Sequence, residues 1–256
     1  MPSLTDITGF KVNIQTPPKR IVSLVPSTTH SICELGRQDA LVGITNFCNR
    51  PASLWKNVTK IGGTKTLSVE AICKLKPDLV LANKEENTKK AIEALRNQNI
   101  SVFVAFPQTV EQALFDLRNL GTLLHTPKKA RTLVDKIQNK RKKRSAFRYV
   151  YLIWTNPTMS VSSQTFIASI LKEIGGENLF SGKERYPTVQ KIPSDIDALF
   201  LSSEPFPFKE KHKRILSEQF HIPMEKIHLI DGAHCSWHGT NMQYALPYLH
   251  AWRDTL

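Results

Sequence analysis

The chain has few of the features that would shortcut an assignment. Its four cysteines, Cys33, Cys48, Cys73 and Cys235, are widely scattered and form no CxxC pair. Neither a disulfide framework nor a thiolate zinc site is legible, and buried free thiols are the expectation. No G-x-S-x-G motif is present, so Ser27, at an expected strand-to-helix turn, has no nucleophile-elbow context and no assigned His–Asp partner. Catalysis is not expected. Long apolar runs are also missing: the longest uncharged stretch, 149–171, is broken by Asn156-Pro157 and by polar residues over 160–165. No membrane insertion is expected. The N-terminus lacks a basic segment followed by an apolar one, so a cytoplasmic location is expected as the chain reads, or the periplasm if the N-terminus has been trimmed.

Acidic residues are scarce as well. Thirty-five Lys and Arg face 22 Asp and Glu, a net charge of +13 with a pI near 9.7. The remaining composition, 41% hydrophobic with 11 Gly and 15 Pro among 256 residues, is that of an ordinary globular protein and excludes coiled-coil and disordered classes.

Short apolar runs bounded by turn residues recur at 21–25, 41–44, 79–82 and 102–106, and again at 149–154, 198–201 and 227–230. Apolar on both faces, they read as buried parallel strands. Helical spacing fills the intervals at 86–98, 110–124, 165–174, 209–220 and 242–252, with Thr109 and Gln112 forming a capping box. Alternating strand and helix predicts an α/β fold. Between the two sets, apolar Ala130, Leu133, Val134 and Ile137 keep helical spacing behind Pro127. The expected organisation is an N-terminal α/β lobe over 1–125, a backbone helix over 126–146 and a C-terminal α/β lobe over 147–256.

The expected connecting helix carries Lys128, Lys129, Arg131, Lys136, Lys140, Arg141, Lys142, Lys143 and Arg144 against Asp135 alone. Such a cluster could meet nucleic acid or an anionic membrane, yet no aromatic residues interleave it and no nucleic-acid motif accompanies it. A solvated helix face, with no DNA partner, is the expectation; a nucleic-acid-binding protein using this helix is the alternative.

Several segments together resemble a known family. Arg20 through Ser27, Glu34-Leu35-Gly36, Leu41 through Thr45, and Leu75 through Ala82 resemble the first lobe of the cobalamin- and ferric-siderophore-binding proteins of ABC importers. Ile153 through Pro157, Phe166-Ile167, Gly175 through Phe180, Tyr186-Pro187, Asp231-Gly232 and Ser236-Trp237 resemble the second, cobalamin-binding half. The resemblance implies two Rossmann-like α/β lobes with central parallel sheets joined by one long backbone helix, the class III periplasmic-binding-protein fold. It also implies a monomer, without an intrinsic cofactor, that binds cobalamin or a ferric chelate in the cleft between its lobes. A cytosolic carrier or sensor of haem or a ferric siderophore is the alternative ligand-binding reading.

In open α/β sheets a ligand lies beyond the carboxyl ends of the strands. That rule and the resemblance together nominate Ser27, Phe47, Thr64, Trp154, Met159, Tyr186, Glu204, Phe206, His234 and Trp237 as ligand-binding residues. Rings among them suit a bulky, partly apolar ligand, and the loop 202–208, with Pro205 and Pro207 alternating with Phe206 and Phe208, reads as a stiff apolar lip. Glu204 reads as either a ligand acceptor or a helix-terminus residue. His234, Cys235 and His238, with Asp231, are donors of suitable type, but the segment reads as loop and the family's metals arrive already chelated, so no metal site is assigned. Thr64, Thr158 and Ala233 stand where relatives carry large aromatics, again large aromatics, and a glutamate. The family docks on its ABC permease through one acidic residue per lobe; Glu70 matches the first, while the second falls at Ile192 beside Lys191, so no functional permease partner is expected.

Overall fold

A computed structural model describes residues 3–52, 58–182 and 184–256. The chain divides into two compact units, one of residues 1–107, 111–138 and 238–241, the other of 108–110, 139–237 and 242–256.

The first unit opens with an antiparallel hairpin of β1 (Ser3–Thr5) and β2 (Lys11–Asn13). There follow β3 (Ile21–Ser23), α1 (Pro26–Glu34), β4 (Leu41–Ile44), β5 (Thr59–Lys60), α2 (Val69–Lys74), β6 (Leu79–Asn83), α3 (Lys89–Asn97), β7 (Val102–Ala105), α4 (Val110–Leu123) and α5 (Pro127–Gln138). Five strands form a wholly parallel sheet in the order β5-β4-β3-β6-β7. Its central strands are apolar on both faces because helices cover both: Val22, Val80 and Val102 pack with Ile72, Ile92 and Leu95. Ser68 and Thr88 cap α2 and α3 by accepting from Ala71 N and Ala91 N. Gly121 of α4 lies against α5, where an added Cβ would stand 2.3 Å from Ala130 Cβ.

The second unit contains β8 (Phe147–Thr155), β9 (Thr158–Ser160), α6 (Phe166–Lys172), β10 (Gly176–Asn178), β11 (Ala198–Ser202), α7 (Glu210–Phe220), β12 (Ile227–Ile230), α8 (Gly232–Ser236) and α9 (Met242–Arg253). Its sheet runs β10-β8-β11-β12 in parallel, with β9 antiparallel on β8. Val150, Leu152, Leu199 and Leu201 pack against Leu216, Phe220 and Ile222. Ile192, 4% exposed, belongs to this core.

Two expectations change. The helix predicted to continue to residue 146 stops at Gln138. Between Ile137 and Ala146 no apolar residue recurs, so that stretch has no face to bury, and the like charges of 140–144 at helical spacing repel one another. The segment after Asp231, expected as loop, forms α8, because the Asp231 side chain accepts from Ala233 N and caps it.

Candidate functional site

In the first unit the turn after β4 is pinned from beneath. Cys48 N donates to Thr45 O, Asn46 N donates to Gly62 O, and the buried Cys48 thiol lies 3.1 Å from Thr29 Oγ1 and 3.2 Å from Thr45 Oγ1. With both ends of the turn held inside, Phe47 at its tip is turned outward and remains 59% exposed.

Ser27, buried near the start of α1, places its Oγ 3.3 Å from His238 Nε2, and Asn83 Nδ2 lies 3.4 Å from the same nitrogen. Burial pulls the His238 imidazole down to about 4, with Glu85 partly opposing, so the ring is neutral at physiological pH. Gly239, at φ +76°, lets the following turn approach α1: an added Cβ would stand 2.4 Å from Ser31 Oγ, which accepts from Thr240 N. Thr64 is half-buried and its carbonyl accepts from Asn87 Nδ2. Glu70 sits exposed in the first turn of α2, paired at 2.6 Å with Lys74.

In the second unit, Trp154 at the end of β8 is 41% exposed and meets Phe206 edge-on at 5.8 Å. Phe206 in turn packs on Phe208 at 4.7 Å, and both rings contact His212. The apolar lip is thus an aromatic stack anchored by buried Phe208. Met159 is half-buried and pairs in register with Trp154 across β8 and β9. Tyr186, also half-buried, has the Arg185 guanidinium 5.8 Å from its ring centre, and its loop is held by Ser162 N donating to Arg185 O and Ser160 N donating to Pro187 O. Thr158 is buried, its hydroxyl donating to Thr155 O.

Glu204 is engaged inside its own unit. Its Oε1 accepts from Ser236 Oγ at 2.7 Å and from Trp237 Nε1 at 3.1 Å, and its carbonyl accepts from Ser202 Oγ at 2.6 Å. Gly232 makes room for this arrangement, since an added Cβ would come within 2.5 Å of Glu204 Cγ and Ser202 Oγ. Trp237, only 7% exposed, is buried with its indole directed at the carboxylate. The bond from Ser236 was not foreseen; the Asp231-Gly232 start of a short helix was its available signal.

His234 stacks on Tyr248 at 4.8 Å, with its Nε2 3.9 Å from Asp231 Oδ2. His238 belongs with the first unit. No group of three or more His, Cys, Asp or Glu that could hold a metal ion occurs among the described residues. Cys235 is buried, and burial pushes its thiol up to about 12, which keeps it protonated.

Residues 21–203 match the family described as periplasmic binding protein, well over half of the chain. The chain belongs to that family. It is 26% identical over 205 residues to the vitamin B12-binding protein of Vibrio vulnificus strain YJ016, covering 75% of each protein. The periplasmic vitamin B12 binding protein of Vibrio cholerae superposes with a TM-score of 0.78 at 17% identity, covering 93% of this chain and 98% of that one. The periplasmic heme-binding protein RhuT of Roseiflexus sp. RS-1 superposes with a TM-score of 0.76 at 17% identity, covering 92% and 99%. The fold is therefore that of the class III periplasmic binding proteins, as the sequence resemblance implied. The family is one of periplasmic binding proteins and not of enzymes. No helix among the described residues is long and apolar enough to cross a membrane.

Proposed function

We propose that the chain is a non-catalytic receptor for a cobalamin-like corrinoid or a metal chelate, on the periplasmic side that its family name indicates, contacting the ligand through strand-end loops. The observation that carries this is the pair of exposed rings at strand ends, Phe47 at 59% on a turn held by Cys48 N donating to Thr45 O, and Trp154 at 41% on a strand paired with β9, its indole donating to Asn156 O. Exposed rings on rigid turns bury large apolar areas at little conformational cost, which a flat or bulky ligand uses well. Relatives named as vitamin B12-binding and heme-binding proteins support the ligand class.

Among the nominated residues, Phe47, Trp154, Phe206, Met159 and Tyr186 are the direct contacts we propose. Ser27, Thr64 and His234 line the strand ends with polar atoms. Glu204 and Trp237 act one step back, holding the lip. Any metal enters within the ligand. We further propose that delivery to a family-type permease is weak, because Glu70 is already paired with Lys74 and the second docking position falls on buried Ile192.

Calorimetry with cobalamin, cobinamide, haem and ferric siderophores tests the reading. Wild type should bind at least one, and Phe47→Ala and Trp154→Ala should each weaken it by about 1–3 kcal/mol, the cost of losing one well-packed ring. Binding unaffected by either substitution would remove the aromatic surface from the account.

A further inference from the structure

The helix α5 has two chemically separate faces. Ala130, Leu133, Val134 and Ile137 are buried against its unit. At about 100° per residue, Lys128, Lys129, Arg131 and Lys136 fall within an arc of roughly 160° on the opposite side. All four are exposed, and none of their ammonium or guanidinium groups has an ion-pair or hydrogen-bond partner among the described residues. Some helical cations elsewhere are paired locally, as in Lys74–Glu70, Lys89–Glu93 and Arg214–Glu218; others, such as Lys90, Lys172 and Lys211, stand exposed singly on their helices, whereas α5 gathers four on one side. On α5 the one acidic residue is Asp135, so the face keeps a charge of +3 over about 12 Å of helix.

We infer that this face of α5 binds an anionic phospholipid surface. The other exposed residues on it are Thr132 and Asp135, so it offers no apolar or aromatic side chain. A protein partner would need buried anchors at the centre of the contact. Single-stranded nucleic acid would need rings on which bases stack. A bilayer carrying acidic headgroups needs neither: it is flat, its charge is diffuse, and each Lys or Arg near it adds roughly fivefold to partitioning, provided the cations lie within a Debye length of the surface. Arg131 can in addition grip a phosphate with two parallel hydrogen bonds. The helix stays on its unit while it binds, because its apolar face is already committed to the core; the contact is surface adsorption without insertion. This inference is independent of which ligand the strand-end loops hold.

The test is vesicle co-sedimentation of the full chain with phosphatidylglycerol–phosphatidylcholine mixtures and with phosphatidylcholine alone, at low and at high salt. Wild type should partition onto the acidic vesicles at low salt and be released at high salt. The variant K128Q/K129Q/R131Q/K136Q should lose at least a hundredfold, on the fivefold-per-cation scale. A matched variant, K11Q/K90Q/K191Q/K211Q, removes four exposed charges elsewhere and should lose far less. Circular dichroism confirms that both are folded, which is expected since every substituted side chain is in solvent. Equal losses in the two variants would mean net charge and not this face, and would overturn the inference. So would absence of binding to acidic vesicles at low salt, or tighter α5-dependent binding to single- or double-stranded DNA or to RNA at the same salt.

Discussion

Removing the Glu204 carboxylate should loosen the aromatic lip and cost measurable stability. Its Oε1 receives the Ser236 hydroxyl and the Trp237 indole N–H, the latter from a ring only 7% exposed. Hydrogen bonds to a charged group contribute roughly 1.5–3 kcal/mol each. Because Glu204 and Ser236 are only half-buried, the lower end applies, and Glu204→Ala should cost about 2–3 kcal/mol in total. Glu204→Gln keeps an acceptor oxygen at the same place and should cost no more than about 1 kcal/mol. The assay is urea unfolding followed by circular dichroism. A double-mutant cycle with Trp237→Phe, which keeps the ring packed and deletes the N–H, isolates the indole bond, with a coupling of about 1 kcal/mol expected. If Glu204→Ala lies within 0.5 kcal/mol of wild type, on the scale of ordinary surface substitutions, or if the cycle is additive, the lip is not held by this carboxylate.

Three other outcomes follow from the packing. Asp116 lines an apolar recess with Leu81, Phe103, Leu117 and Leu120, and burial raises its carboxyl to about 6. The folded state therefore holds this proton more tightly than the unfolded chain: the stabilisation is full below about 4 and is lost as pH rises through 6, so urea unfolding of wild type minus Asp116→Asn should fall by about 1–2 kcal/mol across that window; a difference that rises with pH would contradict this. Gly121→Ala should destabilise by about 1–3 kcal/mol despite the better helix propensity of alanine, because the new Cβ meets Ala130; a more stable variant would refute the close crossing. Ile192→Glu would place a carboxylate in the second unit's core and should prevent folding instead of restoring a docking charge, read as loss of soluble protein and of the thermal transition; a folded variant with wild-type Tm would overturn the placement.

Much of the fold was legible because its central strands are continuous apolar runs closed by turns: β4 and β12 have the bounds their sequence suggests, and β6, β8 and β11 differ by one or two residues. The short edge strands were not. Gly176-Glu177-Asn178 carries no apolar alternation and becomes a strand only by lying beside β8, while β5 is two residues long. The five-residue α8 is too short for periodicity, and its cap at Asp231 was the one signal present. At the site, residue types were readable and exposure was not. Phe47, in the turn after β4, and Trp237, at the end of α8, are both rings nominated for the ligand, but the turn pinned by Cys48 turns the first outward while the Glu204 carboxylate draws the second in. Those outcomes depend on hydrogen bonds between segments distant in sequence.

The most direct measurement of the central claim is the absorption and native mass spectrum of the protein after incubation with cobalamin, cobinamide, haem and a ferric siderophore, each followed by removal of free compound. The account predicts a one-to-one complex with at least one of them, visible as retained colour and as the added mass, and diminished in Phe47→Ala and Trp154→Ala. Colourless protein of unchanged mass with every compound would contradict it.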